Sequence, residues 1–158
     1  MPPMNHGDTV EQFKATEIEL VYRNQVRPED RHKICDPESA YRILLSSWNL
    51  NRIELVEEFK ILLLDRARHC LGVSAISSGG MSSCLVDPRI VFVTALQAGA
   101  SSLILAHNHP SGNLCPSGAD IALTKKLVEG GRLLEIGVPD HLIITKHGFY
   151  SLAENALI

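Results

Sequence analysis

The segment Ser101–Asp120, SSLILAHNHPSGNLCPSGAD, restricts this chain more than any other. Ser101–Ala106 is an apolar run too short for a helix and reads as a buried strand. Residues 110–116 hold two prolines and a glycine, so the strand must end in a tight loop. Ser117 then opens a helix reaching to about Leu134, with Ile121, Leu123, Leu127, Val128 and Leu134 as its apolar positions. A buried strand that turns through a loop into an amphipathic helix is a building unit of layered sheet-and-helix proteins.

The rest of the chain carries the same punctuation. Asp36-Pro37-Glu38 starts a helix with Tyr41, Leu44, Leu45 and Trp48 at helical spacing. Glu57–Asp65 reads as a strand buried on both faces, pairing with Leu71–Ile76 across a turn near Arg66–His69. Pro88–Ala100 reads as a helix closed near Gly99, and His141–Thr145 and Phe149–Leu152 as two further strands. Gly79-Gly80 reads as a turn, not a phosphate cradle, because no G-K-[ST] helix follows. Upstream, Glu17–Arg23 alternates with Ile18, Leu20 and Tyr22 on one face, a half-buried strand, and 25–33 is a polar loop. Residues 1–16 are polar with two prolines and read as a poorly ordered start. The expectation is one α/β (α+β) domain over 17–158, a mixed β-sheet flanked by helices.

Charge narrows the partners. A net charge of -3 gives no bulk basic surface, and Glu29 and Asp30 interrupt the cluster Arg23, Arg27, Arg31 and Lys33. That cluster reads as a solvated loop, and direct nucleic-acid binding is expected to be weak or absent. No apolar run approaches a membrane span, and MPPMNHGDTVEQF lacks the apolar core of a signal peptide. Cysteines 35, 70, 84 and 115 contain no C-x-x-C pair, so free thiols in a reducing cytoplasm are expected.

The chemistry concentrates in the first segment. His107 and His109 stand at i and i+2 at a strand end, so their imidazoles point to one side. Ser117 and Asp120, three apart at a helix start, share a face. Two histidines and a carboxylate form a recurring zinc set that leaves a coordination position for water. Bound zinc lowers the pKa of that water from 15.7 to about 7. Each piece has a plainer reading: Ser117-x-x-Asp120 as a capping box, and His107 as a core histidine. Together the three pieces favour the metal site.

The pattern His-x-His-Pro-x6-Ser-x2-Asp resembles the JAMM motif of MPN/JAB-domain metalloproteins, and the fuller string HNHPSG…PS..D resembles the RadC family. The likeness extends to Leu103–Ala106, Leu123–Lys126, Asp140–Ile144 and Val56–Asp65, and covers roughly 36–158. It implies a domain of MPN/JAB type in which His107, His109 and Asp120 hold Zn2+ and Ser117 hydrogen-bonds the reacting oxygen. It also implies an upstream glutamate as the proton shuttle. Two glutamates compete for that role. Glu57 shares a strand face with Phe59, Ile61 and Leu63; Glu58 shares one with Lys60, a solvent-side pair. A carboxylate on the apolar face is costly without a purpose, and the family glutamate lies two residues before the strand's Phe, so Glu57 is favoured. The plainer reading is two surface glutamates at a frayed strand end. Two departures from the family stand out: Pro88-Arg89-Ile90 stands where the family often has Pro-Arg-Glu, and the sequence shows no helix-hairpin-helix-like region such as longer relatives often carry ahead of the domain, so one reason to expect DNA binding is missing from it.

His141, after Asp140, is either an orienting partner of a ligand or a strand-end surface histidine. Cys115 reads as a neutral loop residue, and His6, His32, His69 and His147 as surface residues. A zinc deaminase would need His-x-Glu and Pro-Cys-x-x-Cys, and neither is present. HNH nucleases place those letters on widely spaced elements. The expected function is a zinc-dependent hydrolase, metallopeptidase- or isopeptidase-like, acting on a peptide or protein substrate, with room left for an oligomer. The alternative is a non-catalytic MPN-type interaction module associated with DNA repair or mobile-element processes.

Overall fold

The computed structural model describes residues 25–80 and 84–158 without a break, and residues 16, 19 and 21 singly. The expected strand Glu17–Arg23 and the loosely ordered start lie outside that continuous description. Helix α1, Pro37–Ser46, is opened by a capping box in which Asp36 accepts from the Ser39 amide. Strands β1 (Glu58–Leu64) and β2 (Cys70–Ser78) form a hairpin. Helix α2 (Pro88–Gln97), strand β3 (Ser102–Asn108), helix α3 (Gly118–Leu133) and strands β4 (His141–Thr145) and β5 (Gly148–Ser151) complete the chain.

The five strands form one sheet in the order β2-β1-β3-β4-β5. Only β3 and β4 run parallel, joined by the α3 crossover, so the sheet is mixed as expected. Alternation divides each strand between two cores. Leu62, Leu64, Ile104, Ala106, Leu142 and Ile144 pack with Ala40, Tyr41 and Leu44 of α1. Phe59, Ile61, Leu63, Leu103 and Leu105 pack with Val91, Phe92 and Ala95 of α2 and Leu127 of α3. The result is a three-layer α+β domain with the central strands buried on both faces.

Several expectations need correction. The second helix stops at Gln97, because Gly99 turns left-handed with φ +63 and the Ala100 amide returns to Ala95. Trp48 lies beyond α1, whose C-cap is Ser47. Lys60 is no solvent-side partner of Glu58: it is 8% exposed, its Nζ donates to the Ser47 carbonyl at 2.7 Å, and it stacks over the Trp48 ring. Gly79 and Gly80 form no turn. They extend the hairpin, with the Gly79 amide on the Glu57 carbonyl and the Glu57 amide on the Gly80 carbonyl. Arg31 is not solvated, since its side chain is 14% exposed and reaches Asp65 at 3.9 Å. No helix among the described residues is long and apolar enough to cross a membrane.

Candidate metal centre

Strand β3 delivers the first ligand candidate. His107 follows Leu103 and Leu105 on the face toward α2 and α3, is 2% exposed, and stacks on the Phe59 ring. His109 lies two residues on, just past the strand, and its amide is held by the Ile144 carbonyl of β4. The chain then turns, with Gly112 at φ +80, a value only glycine adopts without strain, and its amide on the His109 carbonyl. This turn brings the Asn113 carbonyl to 2.6 Å from His109 Nδ1.

Helix α3 delivers the third. Ser117 is its N-cap and Asp120 completes a capping box, so the plainer reading of Ser117-x-x-Asp120 is correct as far as it goes. Asp120 Oδ2 accepts from the Ser117 amide and hydroxyl, both at 2.7 Å. Its carboxylate also faces the histidines, with Oδ1 3.3 Å from His107 Nε2 and Oδ2 3.7 Å from His109 Nε2. One donor atom from each of His107, His109 and Asp120 lies within 4.8 Å of the others.

Hydrogen-bond directions dictate which ring nitrogens stay bare. The Thr124 hydroxyl donates its single hydrogen to the Asp120 carbonyl at 2.6 Å, so at 2.6 Å from His141 Nδ1 it must accept. His141 is fully buried, and burial holds its pKa well below the usual histidine value, so the ring is neutral. Its Nε2 therefore accepts from His107 Nδ1 at 2.8 Å. With the rings neutral, as metal ligation requires, His107 Nε2 is left as a lone pair. His109 donates through Nδ1 to Asn113, leaving Nε2 bare too. The two Nε2 atoms stand 2.9 Å apart beside a carboxylate, an arrangement satisfied by a cation or by protons. The hydrogen bond to Asp120 raises the His109 pKa, in keeping with that demand for positive charge. Burial pushes the Asp120 carboxyl up, but the two histidines facing it and the Ser117 hydroxyl outweigh this and hold the group below the ordinary carboxylate range. The donor set thus fits a borderline-soft divalent ion such as zinc.

Glu57, half-buried one residue before β1, lines the same cleft as His109, Ser117 and Asp120, and its charge adds to the rise in the His109 pKa. Glu58 instead begins β1 with its amide on Asn108 Oδ1. His141 is no surface residue, as its ring contacts show. Thr124 and Asn108 were not singled out from sequence: the hydroxyl of Thr124 shares the α3 face with Asp120 one turn on, a spacing that could have flagged it. Cys115 is exposed in the loop, His147 is exposed, and His69 is half-exposed and paired with Asp65.

A mixed sheet between helices, with two histidines at one strand end and a carboxylate on the first turn of the next helix, defines a protein of the JAB/MPN class. The chain belongs to the RadC-like JAB domain family, whose model matches residues 34–157. It is similar to a UPF0758 protein of Alkaliphilus metalliredigens, with 40% identity covering 82% of this chain and 54% of that protein. A UPF0758 protein of Methanosarcina barkeri is 36% identical over 97% of this chain and 67% of its own length. One from Thermosynechococcus vestitus is 42% identical over 82% and 51%. The chain thus spans about half to two thirds of these curated relatives.

Proposed function

We propose that this chain is a zinc-dependent hydrolase of metallopeptidase or isopeptidase type, cleaving an amide bond in a peptide or protein. The observation that carries the reading is the convergence of the bare Nε2 atoms of His107 and His109 with the Asp120 carboxylate at the wall of an open cleft. Zinc held there supplies a Lewis acid that polarises a carbonyl and acidifies water. Glu57 takes the proton from the attacking water and returns it to the departing amine. Ser117 now donates its hydroxyl hydrogen to Asp120. Rotation about its Cβ–Oγ bond turns that hydrogen toward the developing oxyanion.

The cleft measures about 630 Å³, within the range that accommodates a few peptide side chains. Among its described lining residues the charged side chains are Glu57 and Asp120, with no lysine or arginine. A phosphodiester backbone would find no lysine or arginine among those residues, whereas an amide, neutral and beside Val86, Pro110 and Leu123, does not require one.

The test is elemental analysis joined to a peptide and isopeptide library screen. The unaltered chain is expected to carry near-stoichiometric zinc and to cleave at least one amide substrate, and His109→Ala to lose both. Equal zinc in the two proteins would falsify the ligand assignment. Zinc without turnover on any library member would favour the non-catalytic interaction module.

A further inference from the structure

Asn108 stands between the two histidines of the centre, and its side chain points the other way. It is fully buried on the strand face that carries Ile104 and Ala106. A carboxamide offers two lone pairs on oxygen and two hydrogens on nitrogen, and Asn108 uses all four. Oδ1 accepts from the Trp48 indole at 3.1 Å and from the Glu58 amide at 2.7 Å. Nδ2 donates to the carbonyls of Ile53 at 2.7 Å and Val56 at 2.9 Å. Every partner belongs to one stretch, Trp48–Glu58, the connection that leads into β1.

Two of these partners flank Glu57. The Val56 carbonyl belongs to the peptide bond on its N-terminal side, and the Glu58 amide to the peptide bond on its C-terminal side. Peptide units are planar, so one side chain fixes both planes that set the direction of the Glu57 side chain. Backbone pairing does not do this from the β3 side. The β1–β3 ladder runs from Leu64↔Ser102 to Phe59↔His107 and stops, and the His109 amide turns away to Ile144 of β4. Beyond Phe59 the two strands part, at the end where His107, His109 and Asp120 converge, and the carboxamide spans the gap. On its other side Glu57 is held by Gly79 and Gly80.

We propose that Asn108 is a positioning residue: it ties the Glu57 carboxylate to the strand that carries both histidines, so that proton shuttle and ligands keep one fixed geometry. This rests on the reading of Glu57 and of the metal centre given above. A residue that only held the connection together would lower stability when changed. A positioning residue also has an effect that disappears once Glu57 itself is gone.

The test uses the purified chain loaded with cobalt(II), its visible spectrum followed against pH, with zinc affinity measured by competition with a chromophoric chelator. The unaltered chain is compared with Glu57→Gln, Asn108→Ser and the double variant. Both single variants are expected to move the midpoint of the spectral change in the same direction by about half a pH unit or more. The double variant should move it no further than Glu57→Gln alone, and Asn108→Ser should keep zinc within about threefold, since His107 and His109 are held by other bonds. An unshifted midpoint in Asn108→Ser, or shifts that add, overturns the proposal. Should Asn108→Ser not fold, hydrogen exchange on the unaltered chain decides. The Asn108 side-chain amide and the Glu58 amide should exchange ~100-fold slower than free groups, and free exchange of the carboxamide overturns the clamp. Failure to take up cobalt or zinc at all overturns the metal-centre reading instead, an outcome distinct from a loaded protein whose midpoint ignores Asn108.

Discussion

Asp120 meets two demands with one carboxylate. It closes the capping box with Ser117 and also faces His107 and His109. The capping box that the Ser-x-x-Asp spacing allowed is therefore formed, and the same carboxylate faces both histidines, which no spacing argument alone could reveal. The histidine pair was legible because period-two alternation is fixed by strand geometry. Asn108 was not, because in the strand pattern it looks like a spacer, and its four partners are more than forty positions upstream. At this scale Glu57→Gln should keep zinc and lose turnover, and Glu58→Gln should be nearly silent; metal content and hydrolysis measured on both decide. A dead Glu58→Gln with an active Glu57→Gln would reverse the assignment. Thr124→Val removes the hydroxyl that accepts from His141 and so frees the tautomer of His107. Partners of this kind typically contribute 10–100-fold to metal affinity, so zinc should bind at least about tenfold more weakly, with the fold intact by circular dichroism. Affinity equal to that of the unaltered chain would show that the His107–His141–Thr124 chain does not govern the site.

Elements with strong local signals were readable to within a residue or two. Ser117 opens and Leu134 closes α3, as the pattern indicated, and Asp36-Pro37 and Asp87-Pro88 open α1 and α2. What escaped notice depends on neighbours distant in sequence. The Lys60 face looked solvent-side until α1 and Trp48 covered it, and Gly79-Gly80 looked like a turn until Glu57 paired with it. The glycines of α3 show how element and packing interact. A Cβ on Gly131 would stand 2.3 Å from the Ile136 carbonyl, where the chain folds back on the helix end and the Ile136 amide bonds the Gly131 carbonyl at 2.8 Å. Backbone cannot yield there as a flexible side chain would. Gly131→Ala should therefore cost about 1–3 kcal/mol in urea unfolding, the range for overpacking. Gly118, in the first turn of the same helix, has nothing within 4 Å of its would-be Cβ. Gly118→Ala should be neutral or stabilising by up to ~1 kcal/mol, from helix propensity alone. The reverse order of the two variants would contradict this account of the α3 terminus.

For the molecule as a whole, the candidate centre draws its side chains from three successive parts of the chain. His107 belongs to β3, His109 to the loop beyond it, and Asp120 to α3, so an ion bound there would tie the sheet to the crossover helix. A ligand that binds only the folded chain stabilises it by mass action, about 2.7 kcal/mol at a hundredfold excess over Kd. For a domain of this size each 1 kcal/mol moves the melting temperature by about 2–4 °C, so zinc should raise it by roughly 5–10 °C. The pH dependence has a definite sign. Zinc needs both Nε2 atoms unprotonated, and the hydrogen bond to Asp120 raises the His109 pKa above its ordinary 6.5. Protons therefore compete from above that value downward: the zinc-dependent rise is greatest above the raised His109 pKa and shrinks as pH falls through it. Thermal melts with and without zinc near pH 8 and near pH 5.5 check it, with His109→Ala as the control that should not respond at either pH. A shift of equal size at both pH values, or one retained in His109→Ala, would mean that zinc binds elsewhere and that these three elements are not joined through the centre.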